Sequence, residues 1–272
     1  LFFIAEQFMQ PENWKKVKQL LDDVLAIEGA AARLVVAEPG QAEKLTDIPG
    51  IEIIRTGPEW DALADSAPLA EDVAVGGDGP IALLFTSGTT GLPKGAMLSH
   101  GNLTAAVSIY DVWGRPGRLE RNAIERVICV LPLFHIYALT VVLLSVIRRG
   151  HLISLHQRFD VEAVMRDIEV KRATVFPGVP TMWIAIASLP DLDKRDLSSL
   201  VVAGSGGAPL PVEVAKIFER RVGMKLKSGW GMTETTATFT SNSGLDYQHR
   251  PDSCGVAAPV GDMKIMTVEG DR

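Results

Sequence analysis

Apolar residues fall along this chain in short clusters that switch between two periods. After Pro11, residues Trp14, Val17, Leu20, Leu21, Val24 and Leu25 recur three and four positions apart, which predicts a helix opened by a proline. Short, mostly apolar runs at 1–5, 33–37 and 51–54 read as strands around it. Strand and helix in alternation predict a parallel sheet. Residues 58–80 are rich in Asp, Glu, Ala, Pro and Gly, end in Gly76-Gly77-Asp78-Gly79-Pro80, and read as a flexible connection. The alternation then resumes. Strands are predicted at 81–85, 126–131, 151–155, 173–176 and 200–203, and helices at 100–110, 137–148, 161–171, 181–188 and 211–222. Residues 225–227 lead into a Gly-Trp-Gly turn, and 238–272 read as β-rich. The fold class is therefore α/β, without repeats or coiled coil.

Three of these strands deliver the chain to loops of small residues. The first loop is Thr86-Ser87-Gly88-Thr89-Thr90-Gly91-Leu92-Pro93-Lys94-Gly95. Glycines let backbone N–H groups approach an anion closely, hydroxyls add donors, and Lys94 adds a point charge, so the loop reads as a polyphosphate cradle. It is not a Walker A loop, because five residues separate Gly88 from Lys94 and a glycine follows the lysine. The second loop, Gly204-Ser205-Gly206-Gly207-Ala208-Pro209, is small enough for a flat ligand to lie on backbone. It equally suits a tight strand-to-helix turn. The third, Gly229-Trp230-Gly231-Met232-Thr233-Glu234, sets an indole between glycines, a geometry suited to stacking on a purine. Ligands of open α/β sheets bind beyond the carboxyl ends of strands, so the three loops are expected to share one site.

Composition narrows the partners. The 272 residues carry 27 Lys+Arg against 33 Asp+Glu, a net charge of −6, which gives no general attraction to nucleic acid or anionic lipid. Cys129 and Cys254 have no metal-binding spacing and imply no disulfide scaffold, so a reducing, cytoplasmic setting is expected. The longest mostly apolar stretch, 136–147, is too short to span a bilayer, which leaves peripheral membrane contact open. The first residue is not Met and the chain opens in a strand; a fragment is expected. His135, after Leu131-Pro132-Leu133-Phe134, stands alone, and a lone histidine is more often structural than catalytic. His151 and His156 show no partner pattern and read as structural.

The loop at 86–95, the following Ala96-Met97-Leu98-Ser99-His100-Gly101-Asn102-Leu103, Leu131–His135, Ala203–Leu210 and Gly229–Thr235 resemble, in order and spacing, the adenylate-forming enzymes, and most closely their acyl-CoA synthetase branch. The likeness spans about residues 80–265. It implies the multilayer αβαβα large domain of that superfamily, parallel-rich, truncated, and β-rich at its C-terminal end. It further implies a partial N-terminal α/β subdomain over 1–75, a nucleotide- and acyl-binding subdomain over 76–240, and the start of a β-rich subdomain over 241–272.

By the same resemblance, Thr86, Ser87, Gly88, Thr89, Thr90, Gly91 and Lys94 would hold phosphates, and Gly206, Gly207, Ala208 and Pro209 would wall the adenine. Gly229, Trp230, Gly231, Met232 and Thr233 would complete the nucleotide site, with Thr233 on the α-phosphate. Glu234, with Thr86, would hold Mg²⁺, and His135 would gate the acid site. Phe176–Trp183 would line the acyl pocket or form a core turn. The implied substrates and cofactors are ATP, Mg²⁺, coenzyme A and a carboxylic acid, first a fatty acid. The implied reaction forms an acyl-adenylate and then an acyl-CoA. The Thr-Gly-Asp ribose motif and the C-terminal catalytic lysine of that superfamily do not occur in this sequence, so the chain alone is expected to be inactive. The alternatives are an adenylation domain that loads a carrier protein and a silent nucleotide-binding module.

Overall fold

The computed structural model describes residues 2–3, 34–43, 46, 50, 52–66, 75–86, 94–113, 123–242, 250–259, 261–264 and 266. Contacts divide the chain into two compact units, Leu1–His100 and Gly101–Arg272. The helix expected after Pro11 lies outside the described residues.

In the first unit, β1 (Phe2–Phe3), β2 (Leu34–Ala37) and β3 (Glu52–Arg55) form a parallel three-stranded sheet, as the alternation predicts. A short helix, α1 (Pro39–Ala42), follows β2. The connection predicted over 58–80 instead begins with a helix, α2 (Pro58–Ala64). Pro58 opens it, and Glu59 and Asp61 suit the positive end of its dipole. Glu59 also accepts from the Arg55 backbone N–H at 2.9 Å, which ties the helix start to the end of β3. Next, β4 (Pro80–Thr86) pairs antiparallel with β5 (Lys94–Ser99), which runs into helix α3 (His100–Trp113). The sequence reading did not resolve β5. A Cβ on Gly95 would come within 2.8 Å of the Leu83 Cδ1, so any other residue there would make the Leu83 side chain shift.

The second unit holds a seven-stranded sheet of order β12-β11-β10-β9-β8-β6-β7. Its strands are β6 (Arg126–Cys129), β7 (Leu152–Leu155), β8 (Val175–Gly178), β9 (Val202–Ser205), β10 (Lys227–Met232), β11 (Ala237–Ser241) and β12 (Val256–Ala257). From β7 to β10 every pairing is parallel, and β11 and β12 add antiparallel. Four of the predicted strands match to within a few residues.

Helices α5 (Val161–Glu169), α6 (Pro180–Ala187) and α7 (Val212–Val222) bury their apolar faces in one core with Ile128 and Phe176. Asp160 caps the first by accepting from the Ala163 N–H at 2.8 Å. Trp183 is its centre, 5.0 Å from the Phe176 ring and 5.2 Å from Phe218. Full burial of each such side chain contributes roughly 1.5–3 kcal/mol. The Trp183 indole N–H donates to the Gly204 carbonyl at 2.9 Å, which pins the end of β9 to the core.

The helix predicted over 137–148 is present, but its first part, Tyr137–Leu144, is a π-helix, and only Ser145–Arg149 (α4) is α-helical. Two hydroxyls bond to backbone carbonyls along it. Thr140 donates to the Ile136 carbonyl at 2.7 Å and Ser145 to the Thr140 carbonyl at 2.9 Å.

Candidate functional site

Parallel pairing carries the carboxyl ends of β6, β8, β9 and β10 to one edge of the sheet. Gly178 of β8 is level with Ser205 of β9, which is level with Ser228 of β10. The loop Gly206–Pro209 leaves β9 there, and its Gly206 N–H donates to the Gly178 carbonyl at 3.1 Å. Gly207 takes φ 77°, and a Cβ on Gly206 would stand 3.1 Å from the Tyr137 ring. Both positions therefore favour glycine, one for its backbone and one for close approach of an aromatic.

The Gly-Trp-Gly turn is in fact strand. β10 continues through Gly229, Trp230, Gly231 and Met232, paired with β11, and the reversal falls at Thr233–Thr236. The glycines permit that pairing. A Cβ on Gly229 would lie 2.6 Å from the Thr240 carbonyl, and one on Gly231 would fall on the Ala237 carbonyl. With its glycine neighbours committed to the ladder, Trp230 is held rather than loose. Its N–H donates to the Thr240 hydroxyl at 3.0 Å, and its ring meets Phe239 edge-on at 6.3 Å. The indole is still 43% exposed, so a face remains for stacking.

The reversal carries the two polar groups the sequence singled out. Thr233 is half-buried, Glu234 is exposed, and Glu234 has no ion-pair partner among the described residues. No cluster of three or more His, Cys, Asp or Glu residues forms a metal cage among those residues. One carboxylate on a turn suits a hard cation that draws its other oxygens from water and phosphate, so the donor chemistry fits Mg²⁺.

His135 lies beyond β6. Its Nδ1 accepts from the Tyr137 N–H at 3.2 Å, which leaves the proton on Nε2. Partial desolvation holds its pKa below the ordinary histidine range. The neutral ring can donate from Nε2. Tyr137, next but one, was not singled out by sequence, although it adjoins the Leu131–His135 motif. Burial, with Tyr110 adding to it, drives its hydroxyl pKa well up, so it stays protonated.

Ser205 was missed as well. Its hydroxyl is buried beside Gly206 with no hydrogen-bond partner among the described residues, a cost that a bound polar group would remove. Phe176 and Trp183, placed by sequence either in an acyl pocket or in a core turn, are fully buried core. His151 and His156 do have partners: Glu125 at 3.4 Å and Asp167 at 2.7 Å.

In the first unit, Thr86 and Lys94 are the facing residues that close the β4–β5 hairpin, with the Thr86 hydroxyl donating to the Lys94 carbonyl at 3.4 Å. Ser87, Gly88, Thr89, Thr90 and Gly91 lie outside the described residues.

The sequence profile of the family described as AMP-binding enzyme matches residues 14–272. The chain belongs to that family. A feruloyl-CoA synthase of Amycolatopsis sp is 35% identical over 265 residues, covering 96% of this chain and 51% of that protein. A long-chain-fatty-acid–CoA ligase of Bacillus subtilis (strain 168) is 36% identical over 187 residues, covering 69% and 33%. The ATP-bound crystal structure of MatB from Rhodopseudomonas palustris superposes with a TM-score of 0.74 at 30% identity, covering 88% of this chain and 48% of that one. The α/β fold with a mostly parallel sheet is therefore that of the adenylate-forming enzymes. The chain spans about half the length, or less, of the curated relatives it matches. Among the described residues of this AMP-binding family member, no helix is long and apolar enough to cross a membrane.

Proposed function

We propose that this AMP-binding protein activates a carboxylic acid with ATP and passes the acyl group to coenzyme A. The carrying observation is the carboxyl edge of β9 and β10: β9 releases the Gly206–Pro209 loop, β10 carries the exposed Trp230 indole, and the turn after β10 bears Glu234, which has no ion-pair partner among the described residues. In this reading Gly206–Pro209 and Trp230 hold the adenine, Thr233 donates to the α-phosphate, and Glu234 gives Mg²⁺ one oxygen. The cation would neutralise charge on the phosphates. The roles of Lys94 and the loop 86–91 toward phosphate, and of Thr86 toward the cation, are supported by the sequence resemblance.

A carboxylate oxygen bonds to the α-phosphorus and the bond to pyrophosphate breaks. The acid is already ionised at neutral pH, so His135 is not needed as a base. The neutral Nε2–H instead serves as a donor or gate beside the acid. In the second step the thiol sulfur of coenzyme A bonds to the acyl carbon, AMP leaves, and the thiol proton passes to solvent. Placement and fixed dipoles supply most of the first step.

A fatty acid is the first candidate substrate. An aryl acid is the second, favoured by the aromatic ring of Tyr137 close beside Gly206, a stacking partner for an aryl group. Acid-dependent ATP–pyrophosphate exchange by the full-length protein, run against fatty, benzoic and hydroxycinnamic acids, tests both. Exchange with none of them refutes the function. Exchange confined to aryl acids refutes the first substrate choice.

A further inference from the structure

Three non-glycine residues among those described have a positive φ, and two are adjacent: Thr236 at 59° and Ala237 at 93°. A β-branched residue is an outlier there, and such backbone persists only where its surroundings over-determine it. Both residues are buried, and they close the reversal that carries Thr233 and Glu234. Local bonds account for part of the hold. The Thr236 N–H donates to the Thr233 carbonyl at 3.0 Å, and the Thr235 hydroxyl accepts from the Met232 N–H at 3.0 Å and lies 3.0 Å from the Ala237 carbonyl.

The remaining bond comes from far along the chain. The hydroxyl of Thr140, only 2% exposed, reaches the Thr236 carbonyl at 3.4 Å across 96 residues of sequence. Thr140 sits in the π-helix, where its single proton is shared with the Ile136 carbonyl at 2.7 Å. That helix begins at Tyr137, whose ring lies on Gly206. π-Helical turns are rare and gather at functional sites.

We infer that Thr140 is a positioning residue: through its shared hydroxyl, the π-helix at Tyr137–Leu144 fixes the strained turn that presents Thr233 and Glu234. The inference rests on the roles given above to those two residues. Thr140 touches neither substrate nor metal. It acts by setting where the Thr236 carbonyl, and hence the turn, can stand.

The test compares Thr140→Val, which keeps the shape and removes the hydroxyl, with Thr140→Ser, which keeps the hydroxyl. Both are made in the full-length protein. Calorimetric titration with MgATP should give a dissociation constant raised by roughly 2- to 10-fold in Thr140→Val, as for one lost neutral hydrogen bond. Thr140→Ser should bind within about 2-fold of wild type. The Mg²⁺ midpoint of pyrophosphate exchange should move in the same direction, while the KM for the acid moves less. If Thr140→Val does not fold, Thr140→Ala carries the same expectation. Unchanged MgATP affinity in Thr140→Val, or an equal loss in Thr140→Ser, overturns the inference. Wild-type protein that binds no MgATP overturns the nucleotide site itself, and the inference with it.

Discussion

Two parts of the second unit bury polar groups in opposite ways. Beside β7, the Asp167 carboxylate is only 3% exposed and fully engaged: Lys171 at 2.7 Å, His156 at 2.7 Å and the Ser154 hydroxyl all meet it. At the carboxyl edge of β9 and β10, among the described residues, Ser205 is buried without a hydrogen-bond partner and Glu234 has no ion-pair partner, and Thr236 and Ala237 carry positive φ. A satisfied network stabilises a fold, whereas an unsatisfied one costs stability unless a ligand completes it. The histidine count cannot separate the two regions, because His135 and His156 are both single histidines beyond parallel strands. Partners separate them. His156 is tied to Asp167, while the His135 ring, among the described residues, accepts only the backbone N–H of Tyr137, which leaves Nε2–H to donate.

The sharpest way to break this contrast is Glu234→Gln. It keeps the side-chain shape and removes the charge a hard cation prefers. Adenylation should fall on the order of 10–100-fold, as for loss of a charged contact, and recover in part at high Mg²⁺. The thermal midpoint should stay put, because Glu234 has no partner to lose among the described residues. Identical Mg²⁺ titrations of wild type and variant would reduce Glu234 to a solvated acid.

Asp167→Asn should do the reverse, lowering stability by about 1–3 kcal/mol with little change in exchange rate below the melting range. Burial alone would raise the Asp167 pKa, but hydrogen bonds from Lys171, Ser154 and His156 outweigh it and hold the carboxyl below its ordinary range. A carboxyl depressed in the folded state adds stability above its unfolded pKa, and that contribution disappears as pH falls through the folded value. Wild type should therefore lose more stability than the variant as pH falls below the ordinary aspartate range, measured by denaturant titration. Parallel pH profiles would show that the network contributes nothing.

A smaller effect is expected for Trp230→Ala. Loss of one stacking face should raise the KM for ATP by roughly 2- to 10-fold and leave the KM for the acid unchanged. A change confined to the acid would move the indole to the acyl side. Smallest is a labelling contrast. Cys129 is buried and its thiol pKa is pushed up by that burial, whereas Cys254 is exposed. A thiol reagent should modify Cys254 in the native protein and reach Cys129 only after unfolding. Equal labelling rates would mean that β6 opens readily.

Much of the fold was legible because its cause is local. Apolar runs ending in Gly-rich loops identified β8, β9 and the approach to β10, and the order of elements identified a parallel sheet. The β5 strand escaped notice because Gly95 and exposed Met97 blur its alternation, and its evidence is the pairing with β4. The extension of β10 through Gly-Trp-Gly escaped for a similar reason. Glycines that mark a turn locally also permit a neighbouring strand to approach, and only β11 decides between the two.

By itself the sequence determined the α/β class, the membership that its motifs announce, and the residue types at the site: small ones for close approach, an indole, a threonine and a carboxylate. These follow from short-range chemistry and from spacing. Tertiary structure alone decided that the reversal lies at Thr233–Thr236, that Tyr137 lies on Gly206, that Ser205 is left unpaired, and that Thr140 meets a carbonyl 96 residues away. Each of these is a contact between segments distant in the chain. Its energy depends on packing and on which buried polar groups find partners, and no local pattern encodes that.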